Sequence, residues 1–313
     1  MAKKMINETH IEGWIYEHKL EARVTGENSK NPGTPFIMGT LDVATDNAMT
    51  NIVSVHFTYV TPTTAKNQPN NTYKVLKDIV DGKTATVMGG GKENAAKVRI
   101  DSAIGLNDFY TTRDGNEELV SAKRNEGGFV HVVDTIAENE NERSTFKVDM
   151  VITNVSRKEA DEEKNLPEKA VVKGCIFDFR GAILPVEFVT TSPKAMDYYE
   201  GLDASAKQPV FTKLWGKQVS QTVTRTVVEE SAFDEDSVRT ISSTRREWVI
   251  TGGAKELYTF GGEDDDLSAA TLKKAMADRE VYLAGVKKRQ DEYRASKAQG
   301  ASATTNTADS FNF

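Results

Sequence analysis

The sequence contains a single cysteine, Cys175, in the strand-like stretch Lys173 to Phe177, so no internal disulfide can form and the thiol reads as a small core side chain. Long apolar runs are missing too. Stretches such as Ala170 to Val172 and Ala182 to Leu184 are far too short to span a bilayer. The opening, Met1 to Glu8, has two lysines with no apolar segment behind them, which is not a secretory signal. A cytoplasmic protein is expected. There is no basic excess: the net charge is −7, with 15 basic against 17 acidic residues in 1–135, 17 against 21 in 136–258 and 8 against 9 in 259–313. A nucleic-acid partner would therefore have to meet a local positive face rather than a basic domain.

Chemistry-bearing patterns are equally scarce. The four histidines, His10, His18, His56 and His131, lack metal-ligand spacing to one another. Gly89-Gly90-Gly91-Lys92 has no Ser or Thr after its lysine, and Gly82-Lys83-Thr84 has Lys77, not glycine, five positions earlier, so neither is a phosphate loop. The glycine run reads as a mobile hairpin loop, and the acidic run Glu263 to Asp266 as a solvated, helix-capping hinge. No nucleophile, base and orienting group assemble by spacing. The expectation is a binding protein, not an enzyme, with no cofactor and no metal.

What the sequence does have is alternation. Trp14, Tyr16 and His18 share one strand face, and Val53, Val55, Phe57 and Tyr59 alternate with Ser54, His56 and Thr58. Strands are expected over 11–24, 36–43 and 51–60, then a helix from Thr72 to Val80, then strands near 97–100, 118–120 and 128–133. After an acidic linker, 136–144, the order recurs: strands over 145–153, 171–179 and 183–190, a helix from Pro193 to Gly201, and strands over 210–228 and 244–250. Three strands, a helix and two strands is the order of the OB fold, a five-stranded Greek-key barrel. The expected architecture is mainly β: two OB-like barrels in tandem, 1–135 and 145–258, an acidic hinge and long helix in 259–299, and a flexible tail, 300–313. Leu272, Met276, Leu283, Val286 and Tyr293 form that helix's narrow apolar stripe.

A single-strand binder needs exposed rings for bases and cations for phosphates. In the first barrel Trp14 and Tyr16 offer one such face, unless that face is core. Phe109 and Tyr110 stand in a stretch, Gly105 to Gly115, that reads as an exposed hairpin loop, with Lys92, Lys97, Arg99, Arg113, Lys123 and Arg124 as the cations. In the second barrel Lys213, Trp215, Lys217, Arg225, Arg245, Arg246 and Trp248 make a comparable set, of which Trp215 and Arg225 are the chosen candidates.

These features together resemble the OB-fold single-stranded DNA-binding proteins that bacteriophages encode. The resemblance rests on Ile11-Glu12-Gly13, the strand end Arg23-Val24-Thr25, a Gly/Pro loop and Phe36-Ile37, on two barrels in tandem, and on the tail ending Asp309-Ser310-Phe311-Asn312-Phe313. It implies sequence-tolerant binding of single-stranded DNA in support of replication, recombination or repair. It also implies a C-terminal tip, Asp309, Phe311 and Phe313, that recruits replication or recombination proteins. The tail departs from the family in having one acidic residue where several are usual, and the long helix is not part of the family's plan. The alternative is a β-rich phage structural or assembly protein that self-associates as a homo-oligomer, for which the long helix would serve equally.

Overall fold

The computed structural model describes residues 4–161, 166–229 and 237–305, without the side chains of 222–229, 237–244 and 298–305. The chain is mainly β and ends in one long helix. Its strands are β1 (Asn7–Val24), β2 (Pro35–Ala44), β3 (Ile52–Val60), β4 (Lys97–Arg113), β5 (Asn116–Val133), β6 (Ser144–Lys158), β7 (Lys169–Phe177), β8 (Ile183–Thr190), β9 (Val210–Glu229) and β10 (Ser237–Gly253). Two short strands follow, β11 (Phe260–Gly261) and β12 (Leu267–Ser268). The helices are α1 (Asn71–Val80), α2 (Val87–Gly90), α3 (Pro193–Gly201) and α4 (Ala269–Thr305). None among the described residues is long and apolar enough to cross a membrane.

Strands β1 to β10 form one mixed sheet rather than two separate ones, because β1 pairs with β6 over Asn7 to Ile11. Within it the pairings close twice. β1 bonds both β2 and β4, and the path β2–β3–β5–β4 returns to β1. β6 bonds both β7 and β9, and β7–β8–β10–β9 returns to β6. Each circuit contains one parallel pairing, β3 with β5 and β8 with β10. Inside the N-terminal circuit lie Ile11, Ile15, Leu41, Val55, Phe57 and Ile100, with Leu76 and Ile79 of α1 against them. Inside the C-terminal circuit lie Phe146, Val148, Val172, Phe188, Leu214 and Tyr199 of α3. Full burial of each such side chain contributes about 1.5–3 kcal/mol. The second strand of each circuit curls over its neighbour at a glycine. A Cβ on Gly39 would lie 2.0 Å from Lys19 O, and one on Gly174 would lie 1.9 Å from Val151 O.

Each circuit's last hairpin is longer than its circuit. Hairpin β4–β5 carries Ile104 and Leu106 into the C-terminal core. Hairpin β9–β10 reaches back, where Asn51 bridges Gln221 and accepts from Ser220 N at 2.6 Å. A buried amide pair joins the two: Asn125 Nδ2 donates to Gln218 Oε1 at 2.8 Å, and Gln218 Nε2 donates to Asn125 Oδ1 at 3.1 Å.

Three expectations about loops and linkers change. Gly105 to Gly115 is not a loop. β4 runs through to Arg113 and turns at Asp114 and Gly115, both at positive φ, because Ile104 and Leu106 have a neighbouring core to enter. Residues 136–144 are no free linker: Arg143 is 4% exposed and donates to Ala137 O, Asn47 Oδ1 and Glu138 O. The glycine run closes a short helical turn, α2, whose first turn is capped by Thr86 Oγ1 accepting from Gly89 N.

Helix α4 begins where Ser268 Oγ accepts from Thr271 N at 3.2 Å. Its docked face keeps Leu272, Leu283 and Val286 of the expected stripe, half-buried, but not the other two residues. Met276 and Tyr293 are exposed, while Ala275 and Arg279 are buried. Arg279 ion-pairs with Asp108 of β4 at 2.8 Å, and both side chains are almost fully enclosed.

Candidate nucleic-acid interface

The N-terminal cations named from the sequence are mostly engaged with the protein's own oxygens. Lys92 Nζ donates to Asn47 O at 2.7 Å and Lys97 Nζ to Asp134 O at 3.1 Å. Arg99 Nε meets Glu12 Oε1 at 2.6 Å, which raises the guanidinium above its ordinary pKa. Burial alone would raise the Glu12 carboxyl, but hydrogen bonds from Ala137 N and Arg99 bring it below its usual value. Arg124 pairs with Glu126 at 3.0 Å. Arg113 is exposed at the end of β4.

The rings are similarly placed. Trp14 is 9% exposed, lying beneath Lys92 Nζ at 4.7 Å and the Arg143 guanidinium at 5.5 Å. Tyr16 is half-buried at a β-bulge that interrupts the alternation between Ile15 and Glu17. Phe109 and Tyr110 are half-buried, and α4 lies over this end of β4. Tyr110 N donates to Gln290 Oε1 at 2.8 Å, while Gln290 Nε2 and Arg294 Nη2 donate to Tyr110 O at 2.5 and 2.9 Å. Trp215, 40% exposed, sits with Lys147 and Lys217 around a crevice on β6 and β9. The side chain of Arg225, and Asp309, Phe311 and Phe313 of the tail, lie outside the described residues.

A cation-rich groove lies instead on the outer face of β7 and β8. It has a volume of about 740 Å³ and is lined by Lys123, Lys158, Lys169, Lys173 and Arg246, with Glu187, Glu247 and Trp248. Among the described residues its cations outnumber its carboxylates five to two. Period-two alternation on β7 puts Lys169, Val171 and Lys173 on this face while Val172 enters the core. Lys158, at the end of β6, is held nearby because Arg157 ties the strand end to α3, meeting Glu200 at 2.8 Å and Asp197 at 3.1 Å. Burial would raise the Glu247 carboxyl, but hydrogen bonds from Lys169 and Arg245 bring it below its ordinary value, so it is ionised at neutral pH. Lys158, Lys173 and Arg246 remain exposed.

Lys123 arrives from the other circuit, on β5. Its ammonium lies over the rings of Phe188, at 4.5 Å, and Trp248, at 5.1 Å, and donates to Glu187 O. Desolvation there pushes its pKa down to about 7. Lys158, Lys169 and Lys173 were not singled out in the sequence. The signal was the spacing of Lys169 and Lys173 around Val171, but the groove is completed by Arg246 and Lys123, which only the fold brings close.

Compared with known proteins, the chain is similar in structure to a deletion mutant of the single-stranded DNA binding protein from Thermus aquaticus. The identity is 11% and the TM-score 0.42, over 83% of this chain and 99% of that one. No curated protein matches the sequence. Residues 5–292 match the family model described as YorF, and the chain belongs to the YorF family.

Proposed function

We propose that this protein binds single-stranded DNA, without strong sequence preference, in the groove on β7 and β8. The observation that carries the reading is the local reversal of charge: five cations converge beside Trp248 on a chain whose net charge is −7. Lys158, Lys173 and Arg246 neutralise phosphates, as the cations of a groove that tracks a single strand's backbone do. We read the two closed strand circuits as OB-like units, 1–135 and 145–258. In that fold the ligand crosses strands two and three, flanked by the loops after strands one and four. In the C-terminal unit the second and third strands are β7 and β8. The protein acts as a binder rather than an enzyme, in support of replication, recombination or repair, with the tail residues Asp309, Phe311 and Phe313 as a contact for partner proteins.

Fluorescence titration with labelled oligo-dT at several salt concentrations, against duplex competitor, tests the reading. Binding that prefers the single strand and weakens with salt, with a log–log slope of about −0.7 per phosphate contact, is the expected result. Absence of binding at low salt would overturn it. A second reading, self-association, draws on the exposed Met276, Val281, Tyr282 and Tyr293 of α4, and concentration-dependent light scattering without DNA binding would favour it.

A further inference from the structure

We propose that Lys123 is a nucleophilic amine that captures the aldehyde of an abasic nucleotide in single-stranded DNA as a reversible imine. The inference rests on the reading that the β7–β8 groove holds single-stranded DNA.

Lys123 differs from the other lysines of the groove in its surroundings. Lys169 pairs with the Glu247 carboxylate, and Lys173 faces Glu187 at 3.7 Å. The Lys123 amine instead donates to the carbonyl Glu187 O and lies over the rings of Phe188 and Trp248, and its burial there outweighs the pull of the Glu187 carboxylate. Two aromatic rings cannot replace the water an ammonium loses, so the neutral form gains, and near neutral pH a large share of this amine carries a free lone pair. A low-pKa lysine buried on an apolar floor at the border of a cationic groove is the arrangement that activates amines toward carbonyl carbon.

The same place selects the substrate. An intact nucleotide brings its base to the groove beside the amine and offers the amine no electrophile. A nucleotide that has lost its base leaves that space empty and, in its ring-opened form, presents an aldehyde at C1′. The Nζ lone pair adds to C1′ as the carbonyl π pair moves to oxygen, and a proton passes from nitrogen to that oxygen, giving a carbinolamine. Loss of the hydroxyl as water, with the second amine proton leaving to solvent, gives the imine. Amine and aldehyde give imine and water, so no oxidant or reductant is needed and hydrolysis returns both partners. Lys158, Lys173 and Arg246 would hold the flanking phosphates. The adduct is stoichiometric, so the protein remains a binder.

The test uses the full chain with oligo-dT carrying one abasic nucleotide, at saturating protein so that affinity drops out, with borohydride added to reduce the imine to a stable amine. The expected result is a covalent protein–DNA band whose yield falls about tenfold or more in Lys123→Arg, which lacks a nucleophilic amine, and is unchanged in Lys66→Arg, an exposed lysine elsewhere. In parallel, propanal with cyanoborohydride, read by peptide mass spectrometry on the wild-type protein, should modify Lys123 ahead of the other lysines. Intact oligo-dT that binds while the abasic oligonucleotide gives no more adduct than Lys123→Arg overturns the inference and leaves the DNA reading standing. Failure of propanal to favour Lys123 overturns the reactive amine whatever the DNA result, including the case in which the variant misfolds. Failure of intact oligo-dT to bind at low salt removes the DNA reading, and this inference with it.

Discussion

The two strand circuits share an order of elements and differ in the chemistry of the same face. On the N-terminal circuit the outer face of β2 and β3 is neutral or acidic and largely self-satisfied. Ser54 donates to Asp42, Thr58 donates to Glu126 at 3.2 Å, and His56 lies 3.5 Å from Thr40. Burial and the nearby Arg124 push the His56 imidazole below its ordinary pKa, so it is uncharged at pH 7. On the C-terminal circuit the corresponding strands, β7 and β8, border five cations. A repeated order of elements therefore does not carry a repeated surface charge. The closed pairings need alternation and a glycine at the bend, and both halves keep these, while the outward positions are free to diverge.

Three changes probe that contrast. Trp14→Ala should cost about 3–5 kcal/mol of stability, the usual penalty for truncating a buried aromatic. DNA affinity of the protein that remains folded should be unchanged, with chemical denaturation and oligo-dT titration as the paired measurements. If affinity collapses while stability holds, Trp14 is a ligand-facing ring and the contrast between the circuits fails. Next, Lys158→Ala, Lys173→Ala and Arg246→Ala together should weaken oligo-dT binding by about a hundredfold and flatten the salt slope by about 2. Lys92→Ala with Arg113→Ala should change affinity less than about threefold, and the opposite ranking would move the site to the N-terminal circuit.

The smallest effect concerns Lys123. Its folded pKa is lowered to about 7 from 10.5. Between those values the unfolded chain holds the extra proton, so this residue's contribution to stability rises with pH, and its full penalty is present below about pH 7. Lys123→Met should raise the melting temperature by about 2–4 °C at pH 7, a gain that shrinks toward pH 10. A gain that stays flat across that range would mean the residue is not desolvated.

The sequence made the repeated order of elements readable because period-two alternation survives in strands such as β3 and β8, and because α1 and α3 follow turn-forming residues in each half. Helix α4 was readable from its composition, but its docking was not. Gly105, Asn107 and Asp108 look like loop residues until Arg279, far along the chain, supplies the charge that lets Asp108 be buried. The candidate site was obscured for the same reason. Lys92, Lys97 and Arg99 are close in sequence and promise a patch, yet each is bound to an oxygen of its own circuit. The groove instead draws Lys123 from β5, Lys158 from β6, Lys169 and Lys173 from β7 and Arg246 from β10, and no local pattern records that convergence.

The exchange of hairpins also bears on how the chain must be made. Synthesis runs from the amino end, so Ile104 and Leu106 leave the ribosome before Phe188, Leu214 and Ile250, the residues they pack with, exist. Until those arrive, the projecting half of β4 and β5 is an apolar ribbon with exposed edges, the kind of surface that aggregates or swaps with another nascent chain. The buried amides of Asn125 and Gln218 likewise wait for one another. The N-terminal circuit can close early, but the molecule is finished only when its second half has been translated.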